Sequence, residues 1–235
     1  MFPDDSIQSL TDDWWLNDSA QTIVRGRLIR TFVPYPEMKP HRLVPEDRGQ
    51  NPRQHERAQF HLEAFRIGDP PPPVGTLPVA ALPLRAGEIY FVQRGKVRPA
   101  VVLSTGGADV PSSIRGGQER WQAARTVLVA PYYGADPGGT RGGWPAPFVD
   151  RIRRAEYPQY VWDRLPLPGG PSESILRLDH VFPVGADPAG FRVEPFRLSG
   201  EALQFVDDWL EWLILDALPE NSLVRMVREE FAKLW

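Results

Sequence analysis

Between Gly87 and Leu198 the apolar residues of this chain come only in short runs, at Glu88–Gln93, Val97–Ser104, Thr126–Tyr132, Ser174–Val184 and Arg192–Leu198, with turn residues between them. Runs of that length, rich in β-branched and aromatic side chains, predict strands, and their succession predicts a mainly β (α+β) domain. Twenty glycines and 26 prolines in 235 residues supply the turns. That is about a fifth of the chain, below the roughly 25–30% of low-complexity sequences. With 42% hydrophobic residues there is material for a core.

The flanks read differently. Thr22–Val33 predicts a strand, whereas Pro34–Gln54, with Pro34, Pro36, Pro40, Pro45 and Pro52, predicts a long loop because proline removes a ladder donor. Gln59–Ile67 shifts its apolar phase at Phe65 and Ile67, as a bulged strand does. A polyproline linker follows at Pro70–Pro73. Glycine-rich loops are expected at Gly106–Gln118 and Ala135–Trp144. At Ser199 the period changes from strand to helix. Ser199 is placed as an N-cap, and Leu203, Val206, Leu210 and Leu213 form the apolar stripe of a helix over Gly200–Leu218. Trp209 and Trp212 flank that stripe, and the acid pairs Asp207-Asp208 and Glu229-Glu230 are read as solvated. A second helix is expected around Leu223, Met226, Val227, Phe231 and Leu234. The expected division is an N-terminal extension over 1–84, a barrel over 85–198 and a helical pair over 199–235.

Several chemistries are excluded. There is no cysteine, which removes disulfides, thiolate metal sites and a cysteine nucleophile. His55-Glu56-Arg57-Ala58-Gln59 has glutamine where a zinc protease needs its second histidine, so neither metal nor cofactor is expected. No apolar run reaches the ~18 residues of a membrane span, and Met1-Phe2-Pro3-Asp4-Asp5 lacks the features of a signal peptide. The expectation is a cytoplasmic chain that does not engage a membrane. Gly138-Gly139-Thr140-Arg141-Gly142-Gly143 lacks the Gly-Lys-Ser/Thr ending of a phosphate loop and reads as a flexible loop. The net charge of −3 is unevenly spread. Residues 1–21 hold five acids and no base, residues 85–154 hold eleven bases and five acids, and residues 199–235 hold three bases and eight acids.

The most specific motif is Gly87-Glu88-Ile89-Tyr90-Phe91-Val92, a short turn, then Val97-Arg98-Pro99-Ala100-Val101-Val102-Leu103-Ser104. Followed in order by Thr126-Val127-Leu128-Val129-Ala130-Pro131, by Ser174-Ile175-Leu176-Arg177-Leu178-Asp179-His180-Val181 and by Arg197-Leu198-Ser199, it resembles the PemK/MazF family over about residues 85–215. The resemblance implies an SH3-like small β-barrel with C-terminal helices, a bacterial toxin–antitoxin context, a homodimer and an antitoxin-like protein partner. It further implies metal-independent endoribonuclease activity on single-stranded RNA or binding of another nucleic acid, DNA included. By the same resemblance Arg98 is the catalytic arginine, holding the scissile phosphate. Tyr133 stands where the family carries a catalytic Ser or Thr hydroxyl. Arg94, Lys96, Tyr132 and Arg141 are the expected nucleic-acid-binding groups, cations for affinity and rings for stacking. The alternative is a catalytically inactive barrel that binds protein or nucleic acid. The acidic segment 1–20 has two readings: a helix whose Trp14 and Trp15 fill an apolar seam, or a tethered mimic of an antitoxin lying in the basic groove.

Overall fold

The structure is a computed structural model and describes residues 2–3, 6–48, 51, 58–70, 84, 87–136 and 143–233. Its strands in chain order are β1 (Trp15–Asn17), β2 (Arg27–Pro34), β3 (His41–Arg48), β4 (Ala58–Ala64), β5 (Tyr90–Val92), β6 (Gly95–Ser104), β7 (Thr126–Gly134), β8 (Tyr160–Asp163), β9 (Ser174–Arg177), β10 (Phe182–Gly185) and β11 (Phe191–Leu198). The helices are the single turn α1 (Arg120–Ala123), then α2 (Ala146–Arg153), α3 (Gly200–Leu215) and α4 (Leu223–Lys233). The mainly β expectation holds. The chain divides into two compact units, Met1–Val33 with Val97–Trp235, and Pro34–Lys96. That division differs from a boundary at 84/85, because the first 33 residues group with the C-terminal part.

The smaller unit is a three-stranded sheet in the order β4-β3-β5. Its central strand lies inside the expected loop 34–54, and Pro45 is within it. The Phe65 N–H donates to the Pro40 carbonyl at 3.1 Å. Continued along the register, that bond makes Arg42:Glu63 and Val44:His61 the hydrogen-bonded pairs with β4. The Pro45 nitrogen therefore faces the other edge, where β5 pairs only His41–Leu43. A proline there costs no ladder bond. The irregularity expected in β4 falls instead on β3, between Pro45 and Asp47, and β4 ends at Ala64 before the Phe65–Ile67 phase change. Of the expected linker, residues 71–73 lie outside the described residues.

The larger unit is an eight-stranded antiparallel sheet, strongly curled into a half-barrel, in the order β1-β11-β2-β6-β7-β9-β8 with β10 beside β7. Strand β7 organises it. One edge pairs with β6, while the other pairs with β10 through Thr126–Val129 and with β9 through Tyr132–Gly134. The expected single strand Ser174–Val184 is thus two strands, separated by a 3-10 turn at Leu178–His180 that forms the corner. Ala100, Val101, Val102 and Leu103 are all buried, with alternate residues in two separate apolar clusters. Cover on both faces explains why that run is apolar without alternation.

The N-terminal segment is structural. Ile7 and Trp14 are 2% and 3% exposed within the main apolar cluster, and β1 pairs with β11. The seam-filling reading of Trp14 is the correct one, with a 3-10 turn and a short strand in place of a helix. A segment built into the sheet in this way is not a tethered mimic in a groove. Helix α3 starts as expected, with Ser199 Oγ accepting from the Ala202 N–H at 3.1 Å. Its stripe is rotated: Ala202, Phe205, Val206, Trp209 and Trp212 are buried, while Leu203, Leu210 and Leu213 are only partly so. The two tryptophans are centre, not flank. Asp208 is buried rather than solvated, and accepts from Ser222 Oγ at 2.9 Å and from the Leu223 N–H at 2.6 Å, fastening the start of α4. Asp207 pairs with Arg25.

Candidate functional site

The β6–β7 register, Ala100 opposite Pro131 and Val101 opposite Ala130, continues two residues outward to put Arg98 opposite Tyr133. Directly opposed residues share a face of the sheet. The Arg98 guanidinium carbon sits 4.1 Å from the Tyr133 ring centroid, a close cation–π contact. Both side chains are half-buried. Arg98 and Tyr133, proposed as a pair from sequence, are therefore neighbours.

The next strands extend this row. Tyr133 is opposite Ile175 on β9, so Arg177 is its diagonal neighbour, and Arg177 is opposite Tyr160 on β8. The Arg177 guanidinium lies 5.8 Å from the Tyr133 ring and 4.9 Å from that of Tyr160. Two parallel 2.7 Å bonds join Arg177 to the Asp179 carboxylate. Burial acts against the charge of Arg177, but the Asp179 contacts outweigh it and its pKa lies above the ordinary arginine value. His180, delivered by the 3-10 corner, stands between Arg177 and Tyr133: its Nε2 is 2.7 Å from an Arg177 nitrogen and its Nδ1 is 2.9 Å from the Tyr133 hydroxyl.

That geometry fixes a tautomer. Arginine has only donors, so His180 Nε2 accepts and the ring proton sits on Nδ1, from which it donates to the Tyr133 oxygen. The phenol's own proton is consequently directed away from the imidazole.

Tyr132 is placed differently from the expected nucleic-acid contact. Neighbouring residues on a strand point to opposite faces, and Tyr132 is 2% exposed. Its hydroxyl donates to Asp163 Oδ2 at 2.9 Å, alongside Trp14 Nε1 at 3.2 Å, with Trp15 Nε1 on Oδ1 at 3.1 Å. No ring face is offered to a base. Burial is the main influence on Asp163 and, against the lowering effect of Trp15, Tyr132, Trp14 and the Arg164 N–H, raises its pKa to about 6. The Tyr132 phenol is pushed well up by the same burial and by the adjacent carboxylate. Arg94 and Lys96 are exposed and belong to the smaller unit. Arg141 lies outside the described residues.

Sequence reasoning assigned no role to Arg177, Asp179, His180 or Tyr160. The available signal was the run Arg177-Leu178-Asp179-His180, four residues of which three carry chemistry. An unbroken strand would have turned Arg177 and Asp179 away from His180, and only the corner brings His180 between Arg177 and Tyr133, with Asp179 held on Arg177. Among the described residues there is no group of three or more His, Cys, Asp or Glu side chains that could hold a metal ion, and no helix is long and apolar enough to cross a membrane. No family model, no curated protein and no solved structure matches the chain.

Proposed function

We propose that this protein handles single-stranded RNA on the face that carries Arg98, Tyr133, His180 and Arg177, and that it cleaves the RNA without a metal. In this reading the half-barrel is of the SH3-like PemK/MazF type, acting in the bacterial cytoplasm as a homodimer with an antitoxin-like protein partner. The observation that carries it is the Arg98–Tyr133–His180 contact series with the Arg177–Asp179 pair beside it. It gathers a phosphate-binding cation, a phenolic donor, an imidazole that fixes the phenol's orientation and a carboxylate.

The chemistry follows from those groups. The Arg98 guanidinium lies over the Tyr133 ring, and the planar N–H fork of a guanidinium suits two phosphate oxygens. A ribose 2′-hydroxyl attacks phosphorus, its proton passes to the Asp179 carboxylate, and the bond to the 5′-oxygen breaks. Tyr133 gives its proton to the departing 5′-oxygen, and Arg98 stabilises the charge that builds on the phosphoryl oxygens. The products are a 2′,3′-cyclic phosphate and a 5′-hydroxyl. Incubation with mixed-sequence single-stranded RNA in chelator, followed by end-group analysis, tests this. Cyclic-phosphate ends are expected from the wild type and not from Arg98→Ala, whereas intact RNA at stoichiometric protein refutes cleavage.

A second reading has its own observation. Tyrosine replaces the Ser or Thr hydroxyl of the family, and its ring is engaged by Arg98 and its oxygen by His180. A site built this way suits a barrel that binds RNA and does not cut it. RNA retained by the wild type, released by Arg98→Ala and uncut in both, is the outcome that selects it.

A further inference from the structure

Beyond Tyr133 the alternation of guanidinium and ring continues. Tyr160, reached through Arg177, opens β8, and its ring packs 5.9 Å from Trp144, 5.7 Å from Phe148 and 5.9 Å from Tyr157. The Arg151 guanidinium then lies 4.9 Å from the Tyr157 ring. All of these contacts belong to the larger unit, and the four rings are half-buried. Two residues along β8 on the same face, Trp162 is sealed at 1% exposure with Val149 and Ile152 of α2. The aliphatic side of α2 is thus spent on the core. Tyr160, Trp144, Phe148 and Tyr157 pack against that core and keep the rest of their ring surface at half exposure, beside the bases Arg151, Arg153 and Arg154 at the end of the helix, which are paired with Glu156 and Glu173.

A docking face for a protein partner is depleted of charge at its centre. Half-buried rings interleaved with guanidinium groups instead match how proteins hold single-stranded nucleic acid, with cations along the backbone and π-faces for successive bases. We infer that the arginine–aromatic track over β8 and α2 carries the bases of a single-stranded RNA whose phosphate is held at Arg98. This rests on the reading of Arg98 as the phosphate-binding group. It adds the path of the strand, from Tyr133 across Tyr160 to Trp144 and Tyr157, and it adds stacking rather than hydrogen-bonded readout as the mode of recognition. The ligand is accordingly an unpaired strand with little sequence preference.

The test uses a fluorescein-labelled oligouridine of about ten nucleotides with 2′-O-methyl groups. It lacks the nucleophile and cannot be cut by this route. Binding is read by anisotropy at fixed salt. Loss of one stacked ring weakens binding by about tenfold, so Trp144→Ala and Tyr157→Ala should each show that loss while Trp144→Phe stays within about twofold of wild type. An oligomer of the same length with abasic sites keeps its phosphates and loses its stacking. On the wild-type protein it should bind about tenfold more weakly or worse, which decides the matter even where an alanine variant fails to fold. If Arg98→Ala weakens binding but the abasic oligomer and the ring variants match wild type, the track is refuted and the phosphate site stands. Equal affinity for an RNA duplex of the same length refutes stacking. Absence of binding to any oligomer overturns the Arg98 reading and the track together.

Discussion

Tyr132 and Tyr133 are adjacent on β7, yet their hydroxyls serve opposite environments. Tyr132 joins two indole N–H groups on one fully buried carboxylate, a cluster of three neutral donors on Asp163. Tyr133 lies among Arg98, Arg177 and His180 at half burial. The pleat alone separates them, and it turns the same side chain into a fastening for the N-terminal segment on one face and a candidate reactive group on the other. Substitutions that act on one face and spare the other are the means to break or sharpen this contrast.

The largest effect is expected on the Tyr132 face. Trp14 fills the main core and bonds Asp163, so Trp14→Ala should lower stability by ~3–5 kcal/mol, as for other buried aromatics, measured by denaturant unfolding. Only a small change in midpoint would show that the N-terminal segment is dispensable to the sheet. Next comes the pH dependence of Asp163. Its pKa is about 6 when folded, against the ordinary 3.8 of an aspartate, so between those values the folded state holds a proton that the unfolded chain has released. The stability this group contributes is present at low pH and is lost as pH rises through about 6, in total ~3 kcal/mol. Asp18, Glu63 and Asp136 have lowered pKa values and act in the opposite sense. The readout is therefore the difference between wild type and Asp163→Asn from pH 4 to 7, and a difference that does not vary with pH contradicts the assignment. Smaller again, Tyr132→Phe removes one donor from a buried carboxylate and should cost ~1–3 kcal/mol. Tyr133→Phe, at half burial, should cost less than ~0.5 kcal/mol. Equal costs would erase the distinction between the faces.

How much of this was legible in the sequence depends on what each element is held by. Strands β6 and β7 were readable because local pattern and tertiary pairing agree there, and their register brings Arg98 to Tyr133. Ser199 was readable because a cap is a local device. Strand β3 was not, since the harm done by Pro45 depends on whether a third strand reaches it, which no local pattern records. The three-residue β1 and four-residue β8 are too short to show a period, and the eight-residue α2 has one proline as its N-cap and another in its first turn. Asp208 reads as a surface acid until the Ser222 and Leu223 donors are brought to it by the turn between α3 and α4. The missed half of the site, His180 above all, depends on a single 3-10 corner that interrupts what the alternation presents as one strand.

The central claim is that the Tyr133 face carries the chemistry and the Tyr132 face only the fold. Its most direct measurement is the yield of cyclic-phosphate ends from single-stranded RNA in chelator, for Tyr133→Phe and Tyr132→Phe side by side at a temperature where both are folded. The account predicts that Tyr133→Phe loses at least about a hundredfold, the scale of a general acid, while Tyr132→Phe keeps wild-type yield. Equal yields from the two variants, or a loss confined to Tyr132→Phe, would contradict it.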